Sequence, residues 1–143
     1  MKNTTFIITL LIITACNNSN NKELNNNSVI LKKNFINFLE TEKYSHKEFE
    51  KIIVIPGSGC TGCISDAEKK FSENYKKSEI LYIFTAIGDL KLFKLNFPKD
   101  AFNYRNTIID SNNIMIDYGF NSTYPSEIEI NSDLEVDIKP YQN

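Results

Sequence analysis

The sequence predicts a mixed α/β fold, built from a parallel strand–helix–strand unit and a terminal antiparallel hairpin. Residues 52–55 and 80–87 are continuous apolar runs of the kind found in strands buried on both faces. Between them, apolar residues recur with helical spacing, and residues 126–130 and 134–138 alternate apolar and polar side chains. Buried strands joined by a helix indicate a parallel crossover, and the alternating pair indicates a hairpin with one buried and one solvated face.

Two helices are predicted around the first buried strand. Residues 29–50 begin with an amphipathic helix that ends near Thr41, because apolar and charged residues alternate there with helical period. After the strand, a second helical pattern begins at Ile64, with acidic residues early and lysines late, which suits the helix dipole. Its apolar positions are Ile64, Ala67, Phe71 and Tyr75.

The second half of the chain predicts shorter elements. Residues 88–106 carry one or two helical turns, with Pro98 as an interruption or a new start. Residues 107–109 predict a short strand and residues 114–120 a short helix. Residues 131–133, Asn-Ser-Asp, lie between the two hairpin strands as a turn.

The N-terminus predicts export. A basic start and the apolar run 6–13 precede Thr14-Ala15-Cys16, the layout of a secretory signal, and the run is shorter than the about 20 residues of a spanning helix. Residues 13–16 resemble a bacterial lipobox, which implies cleavage after residue 15 and acylation of Cys16. The alternative is an ordinary signal peptide with a coincidental cysteine.

These features divide the chain into a lipoprotein signal peptide (1–15), an Asn-rich tether (16–28) and one domain (29–143). We expect the domain to be lipid-anchored in the cell envelope, facing the periplasm, and monomeric. The net charge of −2, or −3 once Lys2 is removed, leaves no basic face, so nucleic acid is not an expected partner.

The sequence feature with the clearest chemistry is the pair Cys60 and Cys63, separated by Thr61 and Gly62 at a strand-to-helix junction. Unpaired N–H groups and the positive end of the helix dipole stabilise a thiolate there, and the thiolate is the form that attacks disulfides. With Cys16 acylated, only these two thiols remain, in a disulfide-permissive compartment. The pattern favours thiol–disulfide exchange, with protein thiols, protein disulfides or an upstream redox donor as partner and no cofactor.

This order of elements, with Cys60-x-x-Cys63 at the head of the crossover helix and Pro125 just before the hairpin, resembles the thioredoxin fold over residues 51–138. It looks most like the exported, membrane-tethered thiol–disulfide oxidoreductases of that superfamily. The resemblance implies a three-layer fold, a nucleophilic Cys60 and a resolving Cys63. It also implies that Pro125, after Tyr124, is a cis-proline that faces the pair and offers backbone to a substrate strand.

The resemblance further implies that substrates contact Gly59, Thr61, Gly62, Tyr124 and Pro125. Asp110, followed by Tyr118-Gly119 and then Tyr124-Pro125, also resembles the sequence that leads to this proline in the family. Three features depart from the family. Gly59 stands where tryptophan is common, Val54 stands where a buried acid often assists the resolving thiol, and the usual C-terminal helix is missing.

Other interpretations of the cysteine pair remain open. A thiolate site for Cu(I) or Zn(II) would use the same two residues, although Ser58 replaces the methionine of such metal-binding loops. A redox-inert disulfide in an adaptor domain is a third possibility. We expect no closed metal site, since His46 is the only histidine. Residues 57–62 match G-x-G-x-x-G, a weak signal for a dinucleotide in a chain of this size.

Overall fold

The computed structural model describes residues 31, 33–130 and 136–141, and it places five strands in one open sheet, in the order β3-β2-β1-β4-β5. The predicted signal peptide (1–15), Cys16 and the tether (16–28) lie outside the described residues. Within these ranges, no helix is both long enough and apolar enough to cross a bilayer. In chain order the elements are α1 (31 and 33–41), a 3₁₀ turn (His46–Glu48), β1 (Lys51–Pro56), α2 (Thr61–Asn74), β2 (Ile80–Thr85), α3 (Leu90–Lys94), a 3₁₀ turn (Ala101–Asn103), β3 (Thr107–Ile109), α4 (Ile114–Asp117), β4 (Ser126–Ile130) and β5 (Val136–Pro140).

The two apolar runs form neighbouring parallel strands joined by α2, as predicted. Strand β1 pairs with β2 from Lys51↔Ile80 to Pro56↔Thr85, and β3 adds a third parallel strand beside β2. On the other side of β1, β4 and β5 run antiparallel as a hairpin. The predicted mixed α/β fold is confirmed, and the arrangement is consistent with a thioredoxin-like fold.

Strand β1 supplies two separate hydrophobic clusters, one on each face of the sheet. Ile52 and Val54 pack with residues of α1 and α4, whereas Ile53 and Ile55 pack with residues of α2 and α3. This division follows from the side-chain period of two in a strand. The sheet is therefore the middle of three layers, and its central strand has no polar face.

Phe71 of α2 is the centre of the second cluster. Its ring centroid lies 4.9 Å from those of Tyr82 and Phe84 and 5.4 Å from that of Phe97, each in an edge-to-face arrangement. Edge-to-face pairs add to the free energy of area burial. Helix α2, which carries the cysteine pair, is thus packed against the sheet through the contacts of Phe71 with Tyr82 and Phe84 of β2.

The ends of two elements differ from the prediction. Helix α2 begins at Thr61, three residues before the predicted start at Ile64. The prediction is late because the first turn, Thr61, Gly62 and Cys63, shows no apolar periodicity. Strand β2 ends at Thr85, because Ala86 adopts a left-handed conformation with φ of 55° that ends the extended backbone.

Helix α4 is also shorter than the predicted 114–120, because it ends in a Schellman motif. Gly119 has φ of 94°, its N–H donates to the Ile116 carbonyl, and the Phe120 N–H donates to the Met115 carbonyl. These two bonds satisfy carbonyls that would otherwise lack partners at the helix end. Phe120 is thereby turned back into the core, where it is buried.

The terminal hairpin is confirmed, and its second strand ends later than predicted. The register from Ile130↔Val136 to Ser126↔Pro140 extends this strand to Pro140, two residues past the predicted end at Ile138. Residues 134 and 135 of the predicted strand and the predicted turn at 131–133 lie outside the described residues. The predicted alternation holds in β4, where Ser126 and Ile128 are buried. It weakens in β5, which forms the edge of the sheet.

The position of Phe71 predicts a large loss of stability on truncation. We expect Phe71→Ala to lower the free energy of unfolding by about 3–5 kcal/mol, since the side chain is fully buried among aromatic rings. Leu95→Ala is the control, because Leu95 is 73% exposed and its truncation should change stability by less than about 0.5 kcal/mol. Urea denaturation of both variants measures the difference, and equal losses would contradict the assigned core.

The burial of Tyr82 predicts a loss of stability at alkaline pH. Burial, with smaller contributions from Tyr141 and Glu79, raises the pKa of Tyr82 from 10.0 to about 12. Above pH 10 the unfolded chain loses this proton first, so the free energy of unfolding should fall by about 1 kcal/mol between pH 10 and 11 on account of this group. Tyr82→Phe should remove that part of the pH dependence in chemical denaturation. An unchanged slope would show that Tyr82 ionises equally in both states.

Candidate functional site

Cys60 and Cys63 are joined by a disulfide at the N-terminus of α2. Cys60 is the N-cap residue, Cys63 lies in the first turn, and their Cα atoms are 5.4 Å apart. Both residues are partly exposed. The predicted placement of the pair at the start of a helix is therefore confirmed, and the two residues form a disulfide there.

The turn before the pair is held against the end of β2. The Gly57 N–H donates to the Thr85 carbonyl at 2.7 Å, so the ladder between β1 and β2 continues past Pro56. A Cβ atom at Gly57 would lie 2.6 Å from the Ala86 carbonyl oxygen, which is closer than real Cβ contacts allow. A side chain at residue 57 would therefore push the two strand ends apart.

Gly59 is constrained by a second backbone contact, with the loop before β4. Its φ is 138°, a conformation that residues with a side chain rarely adopt, and a Cβ atom there would collide with the Thr123 carbonyl. The same carbonyl accepts a hydrogen bond from the Cys60 N–H at 2.9 Å. Residue 59 thus has no room for the tryptophan of the thioredoxin family, which explains this departure.

The loop that carries Tyr124 and Pro125 is bonded within itself. The Ser122 hydroxyl accepts from the Tyr124 N–H at 3.1 Å and donates to the Tyr124 carbonyl at 2.7 Å. The Ser126 hydroxyl also donates to that carbonyl, at 3.3 Å, and the Pro125 carbonyl accepts from the Tyr141 N–H. The backbone groups of Tyr124 are therefore engaged, while its side chain is 56% exposed.

One expectation for this loop is corrected. The described residues contain no cis peptide bond, so the bond before Pro125 is trans and not the cis bond that the resemblance implied. Pro125 is also buried, which leaves Tyr124 as the exposed member of the two. The trans isomer is the lower-energy form of an X–Pro bond.

The site lacks an acid where the family often has one, and a buried carboxylate lies elsewhere. Val54 is buried among apolar side chains. Asp110, 4% exposed after β3, accepts hydrogen bonds from the Thr85 hydroxyl and from the backbone N–H groups of Ile114 and Met115, at 2.8–2.9 Å. Asp110 therefore fixes the first turn of α4 against the end of β2, and its acceptor atoms are committed to that task.

A small apolar cavity lies next to the loop. Its volume is about 170 Å³. The lining residues are Leu31, Val54, Pro56, Thr85, Gly119, Phe120, Asn121, Ser122, Ser126, Ile128 and Ile138. Neither cysteine is among them, so the cavity is a feature of the α1 face and not a pocket for the disulfide.

The residues expected to contact substrates are only partly brought together. Gly59 and Cys60 meet the loop through Thr123, and Thr61 and Gly62 are exposed in the first turn of α2, with open space around Gly62. Sequence reasoning did not identify Thr123, because its role depends on a backbone contact between distant segments. The only available signal was its place two residues before Pro125.

The residues described do not assemble a larger metal site around the cysteines. Within the described ranges, no group of three or more His, Cys, Asp or Glu side chains is placed to hold a metal ion. His46 precedes β1, whereas Cys60 follows it, so a strand of six residues separates them. A metal at this position would have to rely on the two cysteine sulfurs.

No protein-family model matches the chain, and comparisons with curated proteins and with solved structures give no match either.

The contact at Gly59 predicts a contrast between two glycines of the same turn. Gly59→Ala should destabilise the domain by at least about 1–2 kcal/mol, since it combines an unfavourable φ with the Thr123 collision. Gly62→Ala should be neutral or stabilising by up to about 1 kcal/mol, because it adds a helix-favouring residue in open space. Thermal and urea denaturation measure both variants. Equal effects would contradict the assigned contact between the turn and the loop.

Proposed function

We propose that this protein is an exported, membrane-tethered thiol–disulfide exchange protein that uses Cys60 and Cys63 as a redox pair. The observation that carries the proposal is the disulfide between two partly exposed cysteines at the N-terminus of α2. The end of a helix with unpaired N–H groups favours the thiolate of a reduced cysteine, which is the nucleophile of the exchange reaction.

The proposed reaction passes through a mixed disulfide. The Cys60 thiolate attacks one sulfur of a partner disulfide, which forms a bond between the two proteins and releases one partner thiolate. The Cys63 thiolate then attacks the Cys60 sulfur, which restores the intramolecular disulfide and releases the second partner thiolate. The partner gains two electrons and the pair loses two. The reverse sequence oxidises a partner dithiol.

A purely structural role for this disulfide is less well supported. Loop closure over a ring of four residues stabilises a fold by only about 2 kcal/mol in the chain-entropy model. The bond joins residues that the N-cap and first turn of α2 already hold close together. Neither cysteine belongs to the hydrophobic clusters of the described residues.

Around the pair, Gly59, Thr61 and Gly62 leave the turn open to a partner, and the exposed Tyr124 ring is the side chain most available for contact. We assign Pro125 a positioning role, since it is buried and its carbonyl is bonded to Tyr141. Partner recognition at this loop then depends on side chains, because the Tyr124 backbone groups are already bonded to serine hydroxyls.

The proposal includes the cellular setting inferred from the N-terminus. Cleavage after residue 15 and acylation of Cys16 would anchor the domain in the cell envelope through the tether 16–28, facing the periplasm. Its support is the basic start, the apolar run 6–13 and the cysteine at the expected cleavage site. An exported compartment permits the disulfide to form.

The proposed function predicts reversible redox titration of the pair. The protein, purified from membranes, is equilibrated in glutathione buffers, and its free thiols are labelled with a maleimide that shifts gel mobility. Two labels should be gained together as the buffer becomes reducing, at one midpoint potential. The chain has three cysteines, so a count from zero to two indicates a blocked or removed Cys16, whereas one to three indicates a free Cys16 and contradicts the proposed anchor.

Trapping variants test the exchange step separately. Cys63→Ser removes the resolving thiol, so it should accumulate mixed disulfides on Cys60 in cells, visible as adducts that disappear on reduction. The double variant with Cys60→Ser and Cys63→Ser is the matched control and should form none. If the pair never titrates and Cys63→Ser traps no partner, the exchange role is wrong and the bond is an inert disulfide. A stoichiometric, chelator-removable metal in the reduced protein would instead establish the metal-binding alternative.

A further inference from the structure

Helix α3 and the residue after it expose most of the large apolar surface of the described domain. Among the described residues, the large hydrophobic side chains that are exposed are Leu90 (37%), Leu92 (63%), Leu95 (73%), Tyr124 (56%) and Ile138 (42%). The three leucines lie within six consecutive positions. Single exposed apolar residues are ordinary, whereas a contiguous group of this kind marks an interaction surface.

Leu92 and Leu95 face outward because aromatic residues on the other side of the segment anchor it to the core. Phe93 and Phe97 are buried, with ring centroids 4.9 Å apart, and Phe93 lies 5.1 Å from Phe84 of β2. Leu92 and Leu95 are three residues apart and share the opposite side of the turn. The core therefore fixes their exposure, and rotation of the segment would expose the phenylalanines instead.

The same segment carries more positive than negative charge. Lys91, Lys94 and Lys99 are exposed, and within the part of the chain that the structure describes, no carboxylate lies at ion-pair distance from them. Two acids, Asp89 and Asp100, lie at the ends of the segment, so residues 89–100 carry three lysines and two aspartates and a net charge of +1. Asp89 accepts from two backbone N–H groups as the α3 N-cap, and Asp100 bonds the Tyr75 hydroxyl and lies 3.9 Å from Lys76. This local positive charge contrasts with the net charge of −2 of the chain.

We propose that this surface docks the domain on an anionic phospholipid bilayer, with the leucines in the interface and the lysines at the headgroup phosphates. We call it the leucine–lysine patch, and it comprises Leu90, Lys91, Leu92, Lys94, Leu95 and Lys99. Its charge complements anionic lipid, and its composition separates lipid from a protein partner. Protein interfaces are depleted in lysine, and leucine is under-represented among their hot spots, whereas interfacial membrane helices combine leucine with lysine.

Docking of the patch would also orient the cysteine pair. Helix α3 follows the carboxyl end of β2, and the Cys60 turn follows the carboxyl end of β1, which runs parallel to it. The two connections approach each other where Gly57 packs on Ala86 and Ile87. The disulfide and the patch therefore lie at the same end of the sheet, beyond the carboxyl ends of β1 and β2. The docking proposal itself depends neither on exchange activity nor on acylation of Cys16.

The chain contains no tryptophan, so a single introduced tryptophan reports its own surroundings. The full chain with Leu92→Trp is reconstituted into vesicles of phosphatidylcholine alone or mixed with phosphatidylglycerol. We expect a blue-shifted emission, quenched by brominated lipid, only in the mixed vesicles. Ile138→Trp is the control, because Ile138 is exposed on the edge strand β5, across the sheet from α3, and its emission should not change. Local emission is the readout because any N-terminal membrane association is common to both variants.

Charge reversal tests the electrostatic part of the proposal. In the Leu92→Trp background, Lys91→Glu with Lys94→Glu should weaken the partition coefficient for mixed vesicles by at least about tenfold. Lys69→Glu with Lys70→Glu on the exposed side of α2 makes the same change of net charge and should have a much smaller effect.

Four results would overturn the proposal. They are an unshifted emission on mixed vesicles, an equal shift on phosphatidylcholine alone, an equal shift for Ile138→Trp, and equal effects of the two lysine pairs. A shift that grows with protein concentration in the absence of vesicles would also overturn it, and would identify the patch as a contact between copies of the chain. Thiol titration of the same samples reads the redox pair independently.

Discussion

The hydrogen bond from the Cys60 N–H to the Thr123 carbonyl connects the two segments that define the candidate site. One segment is the turn between β1 and α2, and the other is the loop that leads into β4. Their approach is close enough to exclude a side chain at Gly59. Because β4 pairs directly with β1 through Val54↔Ser126, the sheet register sets the distance between turn and loop. The geometry of the disulfide turn thus depends on β4, a strand that begins 70 residues after β1 ends.

The central elements could be predicted because their signals are local. Continuous apolar runs gave β1 and β2, helical spacing gave the body of α2, and alternation gave β4. The first turn of α2 carries no apolar residue to show its period, so its start was placed at Ile64 instead of Thr61. Strand β5 extends to Pro140, two residues past the predicted end, because the alternation of residues 136–138 does not itself mark where pairing with β4 ends.

The cysteine pair of the site could be predicted from the sequence, whereas the backbone contacts that hold the turn around it could not. Cysteine spacing and the strand-to-helix junction were sufficient to place the disulfide. The demand for glycine at residue 59 and the role of Thr123 come from contacts between segments far apart in sequence, which no local pattern encodes. The isomer of the bond before Pro125, which is trans, is likewise not encoded in the residue types of the loop. A match of residue types identifies the proline but does not predict the isomer of the bond before it.

Neither cysteine belongs to either of the two hydrophobic clusters of the described domain. Aromatic packing around Phe71 fixes α2 from below, and the N-terminal turn of that helix projects beyond the core. Opening the bond between Cys60 and Cys63 would therefore remove no core contact. The contacts that keep the domain folded are thus separate from the disulfide, which is the bond most open to chemical change. The same fold can carry the cysteine pair either oxidised or reduced. A partner could distinguish these two states only by contacting the turn itself.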